Sequence, residues 1–245
     1  MSPKNLNASK KTNRFLLNKL KDKRALKIYK KFENELAINK NFIVAVSGGP
    51  DSLALSFLSN IYSIKKSLEA KYFIVDHGLR KNSTSEAKNV QKKLKNFSIK
   101  LNILTWRGIK PRKNIQSIAR DKRYELLCDR AKKNRIENII VGHHLDDLFE
   151  NFFFFFLRGT GLQGLVSLDK EVQKNNINLI RPLINIEKND LVYISKLVFS
   201  SYIEDPSNED DKFKRVKVRN LLKGLSLEGL DKNKFFLTIK NLKFA

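Results

Sequence analysis

The stretch Phe42-Ile-Val-Ala-Val-Ser-Gly-Gly-Pro-Asp-Ser52 decides the fold of this 245-residue chain. Its first half, 42–46, is a short continuous run of apolar and β-branched residues, which is typical of a strand buried on both faces of a parallel sheet. A Gly-Gly-Pro sequence then ends the run, and residues 51–64 return to helical spacing. The stretch therefore predicts a strand, a glycine-rich turn and a helix that begins at the turn.

The same alternation of strand and helix continues along the chain. Further strands are predicted at 72–75, 99–106, 138–141 and 179–180, and helices at 9–36, 84–96, 114–134, 146–157 and 187–199. This order predicts an α/β fold, a doubly wound parallel sheet of about five strands with helices on both faces. We expect a basic helical N-terminal extension over 1–40, a catalytic domain over 41–205 and a short basic C-terminal segment over 206–245.

Charge and composition narrow the possible partners. The chain carries 49 Lys and Arg against 25 Asp and Glu, a net charge of +24. The excess indicates nucleic acid or an acidic membrane, although a lysine-rich composition is also typical of an A/T-rich genome. Residues 1–40 carry 12 basic and 3 acidic groups, residues 212–245 carry 10 and 2, and the residues between them carry 27 and 20. We therefore expect the basic ends to contact a polyanion.

Several classes of protein are disfavoured. The single cysteine, Cys128, excludes an intramolecular disulfide and a cysteine-based metal site, and its helical context favours a buried side chain. The first residues lack an apolar signal region, and the apolar run 152–157 is far shorter than the roughly 20 residues of a membrane span. We expect a reduced, cytoplasmic protein with no membrane partner, in which the phenylalanines of 152–156 form a buried helix face.

The turn at 47–52 is suited to an anion. Its glycines let backbone N–H groups approach a phosphate, and the start of the following helix adds partial positive charge. Asp51 would repel a phosphate, so we expect it to hold Mg²⁺ or a cationic substrate. The lysine of a P-loop is missing, which disfavours γ-phosphate transfer. On spacing alone, a capped strand–turn–helix junction explains the turn equally well.

Other polar blocks follow the later strands. They are Asp76-His-Gly-Leu-Arg80, Asn114 to Tyr124, Gly142-His-His-Leu-Asp-Asp-Leu-Phe-Glu150, Arg158 to Gly164, Arg181-Pro-Leu183 and Glu204 to Asn208. Residues 47–52 fit SGGxDS, the pyrophosphate loop of the N-type ATP pyrophosphatases (the PP-loop superfamily). In this order, the blocks resemble the tRNA(Ile)-lysidine synthetase family from residue 42 to about residue 220.

The resemblance implies a two-step reaction. ATP and Mg²⁺ would adenylate the wobble cytidine of an isoleucine tRNA with the anticodon CAU, and free L-lysine would displace AMP to form lysidine. The modified tRNA would read AUA in place of AUG. Two departures from the family are visible: Asn151 stands where Thr is usual, and few residues follow Asn220 where many members carry tRNA-binding domains.

Site residues follow from the motifs and this chemistry. ATP is expected to contact Ser47, Gly48, Gly49, Pro50, Asp51, Ser52, Asp76 and His77. The catalytic group is expected to comprise Asp51, Arg120, His143, Asp147 and Glu150, with Asp51 as the metal ligand. Asp147 and Glu150 share a helix face and would bind Mg²⁺ or lysine, although a solvated helix start also explains them. Arg120 would neutralise the adenylate. His144 is expected to be structural, and Asp76 could equally cap its loop.

The alternation of basic and apolar residues at 212–219 predicts a tRNA-binding segment, with Arg215, Lys217 and Arg219 on phosphates. A tRNA thiolase is disfavoured because such enzymes generally use paired cysteines or an iron–sulfur cluster. A glutamine-dependent amidotransferase would need a further domain. An RNA-binding protein without catalysis is disfavoured by the intact loop and its carboxylates, and a membrane-surface protein by the lack of a broad aromatic helix face.

Overall fold

A six-stranded sheet organises the part of the chain that the structure describes. The structure is a computed structural model that describes residues 12–174, 176–202 and 214–244, with the side chains of 214 and 215 outside the description. The strands are β1 (Phe42–Val46), β2 (Ala70–Asp76), β3 (Leu101–Thr105), β4 (Asn138–Ile140), β5 (Glu171–Lys174) and β6 (Ile177–Ile180), in the order β3-β2-β1-β4-β6-β5. The predicted block Glu204 to Asn208 lies outside the described residues.

The predicted parallel sheet is confirmed, with one addition. All neighbouring pairs among β1, β2, β3, β4 and β6 are parallel, whereas β5 pairs antiparallel with β6. The predicted count of about five strands was one too low because β5, Glu-Val-Gln-Lys, is exposed along its whole length and has no apolar run. An antiparallel edge strand on an otherwise parallel sheet is common.

Helices cover the sheet between the strands. They are α1 (Lys23–Leu36), α2 (Pro50–Lys66), α3 (Ser83–Lys95), α4 (Ile115–Asn134), α5 (Leu145–Phe156), α6 (Leu162–Leu165), α7 (Lys188–Phe199), α8 (Lys214–Leu227) and α9 (Lys232–Asn241), after a helical stretch at 12–18 and a 3-10 turn at Lys19–Lys21. The chain leaves β1 toward β2 on one side and returns to β4 on the other. The carboxyl ends of β1 and β4 therefore lie side by side at the switch point, where open α/β sheets bind ligands.

Two hydrophobic layers hold the sheet. On one face, Phe42 and Val44 of β1 pack in a cluster with Phe32 of α1, Phe57 of α2 and residues of α7. On the other face, Ile43 packs with residues of α4, including Cys128, which is free and buried as predicted. Alternate residues of β1 thus serve opposite faces, as a strand covered on both sides requires.

Both terminal helical segments pack onto this framework. Phe32 of α1 is fully buried in the same cluster as the sheet residues. At the other end, Phe235 of α9 contacts Phe149 and Phe152 of α5, with ring centroids 4.8 and 5.2 Å apart. The basic helical extensions expected at the two ends are therefore helical where they are described, and each contributes to a core.

The phenylalanine run of α5 is only partly buried. Phe152 is buried, the next three rings are half-buried, and Phe156 is 57% exposed. The expected buried helix face therefore holds for the first ring of the run. Among the described residues, no helix combines the length and the apolar character that a membrane crossing requires.

Candidate active site

The turn between β1 and α2 is held by its own hydrogen bonds. Gly48 has φ +94°, a backbone conformation that favours glycine. Its N–H donates to Ser52 Oγ over 2.9 Å, and Ser52 Oγ donates to the Gly49 carbonyl over 3.0 Å. The single hydroxyl proton of Ser52 is thus committed to the turn, while Ser47, Gly49 and Pro50 line a cavity of about 680 Å³. The turn is preorganised beside a space large enough for a nucleotide-sized ligand.

His144 lies between carboxylates at the start of α5. Its Nε2 is 3.5 Å from Asp147 Oδ2 and 3.6 Å from Asp51 Oδ2, and its Nδ1 is 3.7 Å from Asp146 Oδ2. Burial acts to lower the pKa of His144, but the attraction of Asp147 and Asp51 outweighs it and raises the pKa above its usual value. A protonated His144 would neutralise part of the negative charge beside the turn.

His143 has the opposite environment. Its side chain is half-buried with Nδ1 inaccessible to solvent, and burial, followed by the positive charges of Arg181 and Arg120, lowers its pKa to about 4 despite the opposing charge of Asp147. His143 lines a second, smaller cavity of about 180 Å³ behind the turn, with Ser47, Asp51 and Ser52. His143 is therefore neutral near pH 7, and His144 is the histidine that lines the main cavity. The structural role expected for His144 stays a prediction. His144 is the residue that precedes the first turn of α5, where its backbone N–H donates to Asp147 Oδ2 over 3.0 Å.

Two carboxylates of α5, Asp147 and Glu150, line the main cavity, and their pKa values are shifted in opposite directions. Burial acts to raise the pKa of Asp147, but the charge of His144 and the hydrogen bond from the His144 backbone N–H help to outweigh burial, and the pKa is lowered. Burial raises the pKa of Glu150 even though Arg219 Nε donates to Glu150 Oε1 over 2.6 Å. The other oxygen of Glu150 is buried without a hydrogen-bond partner among the described residues. One carboxylate is therefore held ionised, and its neighbour is poised to take up a proton.

Asp51 offers an unused oxygen at the turn. Asp51 Oδ1 is buried and has no hydrogen-bond partner in the described part of the chain, while Oδ2 lies 3.7 Å from Lys188 Nζ. The described residues hold no cluster of three or more His, Cys, Asp or Glu side chains that could form a metal site by themselves. Mg²⁺ commonly uses one or two carboxylates together with substrate phosphates, so a lone Asp51 oxygen beside a phosphate turn fits that ion.

A lysine from the C-terminal helix reaches the same cavity. Lys232 Nζ lies 2.8 Å from Asp146 Oδ1 and 3.4 Å from Glu187 Oε2. The second oxygen of Asp146 accepts the backbone N–H of Lys188 over 2.9 Å. The Lys232 pair therefore joins α9 to the starts of α5 and α7. Sequence reasoning missed Asp146, Lys188 and Lys232, because their partners are distant in the chain.

The candidate adenosine contacts lie beside the cavity rim. Asp76 accepts three hydrogen bonds, from Gly78 N–H over 3.0 Å, Ser83 Oγ over 2.8 Å and Thr84 Oγ1 over 2.6 Å. These bonds match the capping role that the sequence left open. His77 accepts from Arg123 Nε over 3.4 Å, and burial, with Arg123 and Lys110, lowers its pKa to about 4.

The remaining predicted residues differ in whether they line the cavities. Arg120 stands over the Tyr124 ring at 5.8 Å and is absent from the described lining of both cavities, whereas Arg123 lines both. Lys217 is exposed on α8, Arg219 binds Glu150, and the side chain of Arg215 lies outside the description. The structure thus brings the turn, Asp51, Asp147 and Glu150 together.

Comparisons with known proteins identify the family of the chain. A family model described as a PP-loop domain matches residues 18–225. A tRNA(Ile)-lysidine synthase of Orientia tsutsugamushi (strain Boryong) is 42% identical over 189 residues, which are 76% of this chain and 42% of that protein. A tRNA(Ile)-lysidine synthase of Wolbachia pipientis wMel is 37% identical over 209 residues, 84% of this chain and 48% of that protein.

A solved structure shares the fold. The U34-tRNA thiolase NcsA from Methanococcus maripaludis with its [4Fe-4S] cluster superposes with a TM-score of 0.75 at 17% identity, covering 90% of this chain and 78% of that one. This likeness concerns the fold alone. The chain spans about half the length of the curated relatives that it matches. The resemblance to tRNA(Ile)-lysidine synthetases is confirmed, and with the family model covering most of its length the chain belongs to the PP-loop domain family.

Proposed function

We propose that the chain uses ATP to attach free L-lysine to the wobble cytidine of an isoleucine tRNA with the anticodon CAU. The observation that carries the proposal is one cavity whose wall contains both the phosphate turn and two carboxylates of α5, the half-buried Asp147 and the buried Glu150. A phosphate turn suits the nucleotide, and carboxylates suit a cationic amine. The names of the similar proteins support the same reaction.

In the first step, the carbonyl oxygen of the cytosine attacks the α-phosphorus of ATP, and pyrophosphate leaves. The turn at 47–52 would hold the pyrophosphate with the N–H groups at the start of α2. Arg120 would offset charge on the adenylate, His143 would orient the phosphate, and Asp76 and His77 would lie toward the adenosine. Mg²⁺, when bound, would neutralise phosphate charge, with Asp51 Oδ1 as its protein ligand.

In the second step, the ε-nitrogen of lysine attacks the ring carbon that bears the adenylated oxygen. The C–O bond breaks, and AMP leaves with its electron pair. The ammonium must first lose a proton, because its nitrogen has no free electron pair. Asp147, whose pKa is lowered, would attract the ammonium as an anion. Glu150, whose pKa is raised by burial, is the better proton acceptor of the two and has a free oxygen for the task.

The basic helix α8 would place the RNA over this cavity. Lys217 is exposed, and Arg219 on the same helix binds Glu150 at the cavity wall. Together with Arg215, these residues are the proposed phosphate contacts of this segment. A cytoplasmic location would give the protein its three substrates, ATP, free L-lysine and tRNA.

Sulfur transfer is the alternative reaction raised by the thiolase that shares the fold, and one observation disfavours it. Cys128 is the one cysteine in the sequence, and it is buried in the cluster between the sheet and α4. A buried thiol whose pKa is raised by burial is a poor nucleophile.

The test supplies labelled lysine, ATP and an isoleucine tRNA with the anticodon CAU. The expected result is label in the RNA together with one AMP and one pyrophosphate for each lysine. A tRNA identical except for its anticodon is the control for the base. Asp51→Asn should lose pyrophosphate release, while Lys240→Gln on the exposed face of α9 should retain it. A protein that binds ATP and tRNA but never transfers label would contradict the proposal.

A further inference from the structure

In one segment in the middle of the chain, all the charged residues are basic. Residues 87–120 include ten Lys and Arg and no Asp or Glu, although the chain between residues 41 and 211 is otherwise slightly acidic. The expectation that positive charge gathers at the two ends therefore missed one location. This segment includes the end of α3, the edge strand β3 and the loop that leads into α4.

The loop after β3 and the first turn of α4 together expose both cations and apolar side chains. We define the β3-edge surface as Arg107, Ile109, Arg112, Lys113, Ile115 and Ile118. The two arginines and the lysine are exposed and make no hydrogen bond or ion pair with any described residue. The isoleucines are 96%, 43% and 40% exposed in chain order. Unneutralised cations beside exposed apolar side chains point to an external anionic partner with apolar faces.

The loop is fixed at its base. Lys110 Nζ donates to the Trp106 carbonyl over 2.7 Å and stands 4.2 Å from the centre of the Trp106 ring. The Trp106 N–H in turn donates to the Asp76 carbonyl over 2.9 Å. Arg107, Ile109, Arg112 and Lys113 are therefore carried by a loop that is anchored to the carboxyl edge of the sheet, and Ile115 and Ile118 follow at the start of α4.

The loop after β3 is linked to the main cavity through a chain of side-chain contacts. The Trp106 ring contacts the His77 ring edge-on, with centroids 6.0 Å apart. His77 accepts from Arg123, and Arg123 lines the cavity with the phosphate turn. A ligand that extends from the cavity across this edge would meet the surface next.

We propose that the β3-edge surface binds the single-stranded loop of an RNA stem-loop whose target base enters the cavity. Its cations would neutralise phosphates, and the isoleucines would contact the faces of unpaired bases, which present both chemistries along one strand. The proposal rests on the proposed function for the choice of RNA. It differs from the binding segment expected on α8, because the β3-edge surface approaches the cavity from the other side of the turn.

The test compares two triple variants of equal charge. Arg107→Gln, Arg112→Gln and Lys113→Gln together remove three cations from the surface. Lys100→Gln, Lys132→Gln and Lys133→Gln remove three exposed lysines from the amino-terminal edge of the sheet, where α4 ends and β3 begins. Binding of a short stem-loop RNA with CAU in its loop is measured by filter retention without ATP or lysine, across a range of salt concentrations.

The surface variant should bind on the order of tenfold more weakly at low salt, and its log–log salt slope should fall by about 2, since each single-strand phosphate contact contributes about 0.7. The control variant should keep the wild-type slope. Ile109→Ser should weaken binding without changing the slope, because it removes an apolar contact and no charge. These exposed substitutions are checked for folding by circular dichroism.

Three results would overturn the proposal. Equal binding by the two triple variants would refute the surface and leave lysine transfer untouched. Wild-type protein that binds a blunt duplex as tightly as the stem-loop would refute a single-strand site. Binding of the protein to phosphatidylserine vesicles, with no binding of the stem-loop RNA, would identify an acidic membrane as the partner in place of RNA. Lysine transfer is scored separately with full-length tRNA, so its failure is recognised independently.

Discussion

Lys232→Met removes the ammonium that joins α9 to the cavity wall while keeping most of the side-chain volume. Lys232 Nζ lies 2.8 Å from Asp146 Oδ1, and the two side chains are 30% and 25% exposed. A hydrogen bond to a charged group contributes about 1.5–3 kcal/mol when buried, and exposed pairs contribute less than about 1 kcal/mol. This half-buried pair falls between these ranges, so we expect a loss of about 1–2 kcal/mol in the free energy of unfolding.

Urea denaturation of the wild type, Lys232→Met and the matched variant Lys234→Met measures this loss. Lys234 lies on the same helix with an exposed side chain, so Lys234→Met should stay close to the wild type. Burial acts to raise the pKa of Asp146, but Lys232 and the Lys188 N–H outweigh it and lower the pKa. The stabilisation is therefore present above the unfolded carboxyl pKa of about 3.9 and is lost as the pH falls through the lower folded value.

The difference between Lys232→Met and the wild type should accordingly shrink in acid. Two results would refute the reasoning. One is equal stability of the two lysine variants at pH 7, and the other is a difference that persists unchanged after Asp146 is protonated. The first result would mean that the Lys232–Asp146 ion pair stabilises the fold no more than an exposed ion pair does. The second would mean that Lys232 stabilises the fold through packing.

Four further outcomes are expected. Glu150→Gln should slow lysine transfer by about 10²–10⁴-fold and leave pyrophosphate release nearly intact; equal loss of both steps would remove Glu150 as the proton acceptor. The stability advantage of the wild type over His144→Asn should be full below about pH 6.5 and decline as the pH rises through the raised folded pKa; an advantage that grows with pH would reverse the sign. Gly48→Ala should cost about 1–2 kcal/mol by urea denaturation, because its φ is +94°; an unchanged midpoint would show that the turn tolerates a side chain. Asp76→Ala should lower stability by about 1–3 kcal/mol through three lost hydrogen bonds; a raised KM for ATP without destabilisation would instead favour adenosine contact.

Local sequence was enough to predict the segment that positions the site. The β1 strand, the turn and α2 are adjacent in the chain, and each has a strong signal: buried β-branched residues, paired glycines and helical spacing. The shared face of Asp147 and Glu150 also follows from helix geometry. These features needed no knowledge of distant partners.

The parts that could not be predicted depend on contacts between distant segments. The strand β5 is held in the sheet by its backbone pairing with β6, because its own side chains are exposed. Adjacent histidines look equivalent in sequence, yet His144 lies among carboxylates, whereas His143 lines the smaller cavity behind the turn and feels the positive charges of Arg181 and Arg120. Likewise, nothing in the basic pattern of 206–245 indicates that Arg219 and Lys232 bind acids of α5.

Trp106 is an intrinsic fluorescence probe in this protein. It is the chain's one tryptophan, so indole fluorescence comes from a single, known position. The ring is buried between Lys110 on the β3-edge loop and His77 beside the cavity rim. A ligand that shifts either neighbour changes the polarity and the quenching around one chromophore. Fluorescence of the unlabelled protein therefore tests the proposed nucleotide and RNA binding in real time, as emission changes of the same indole.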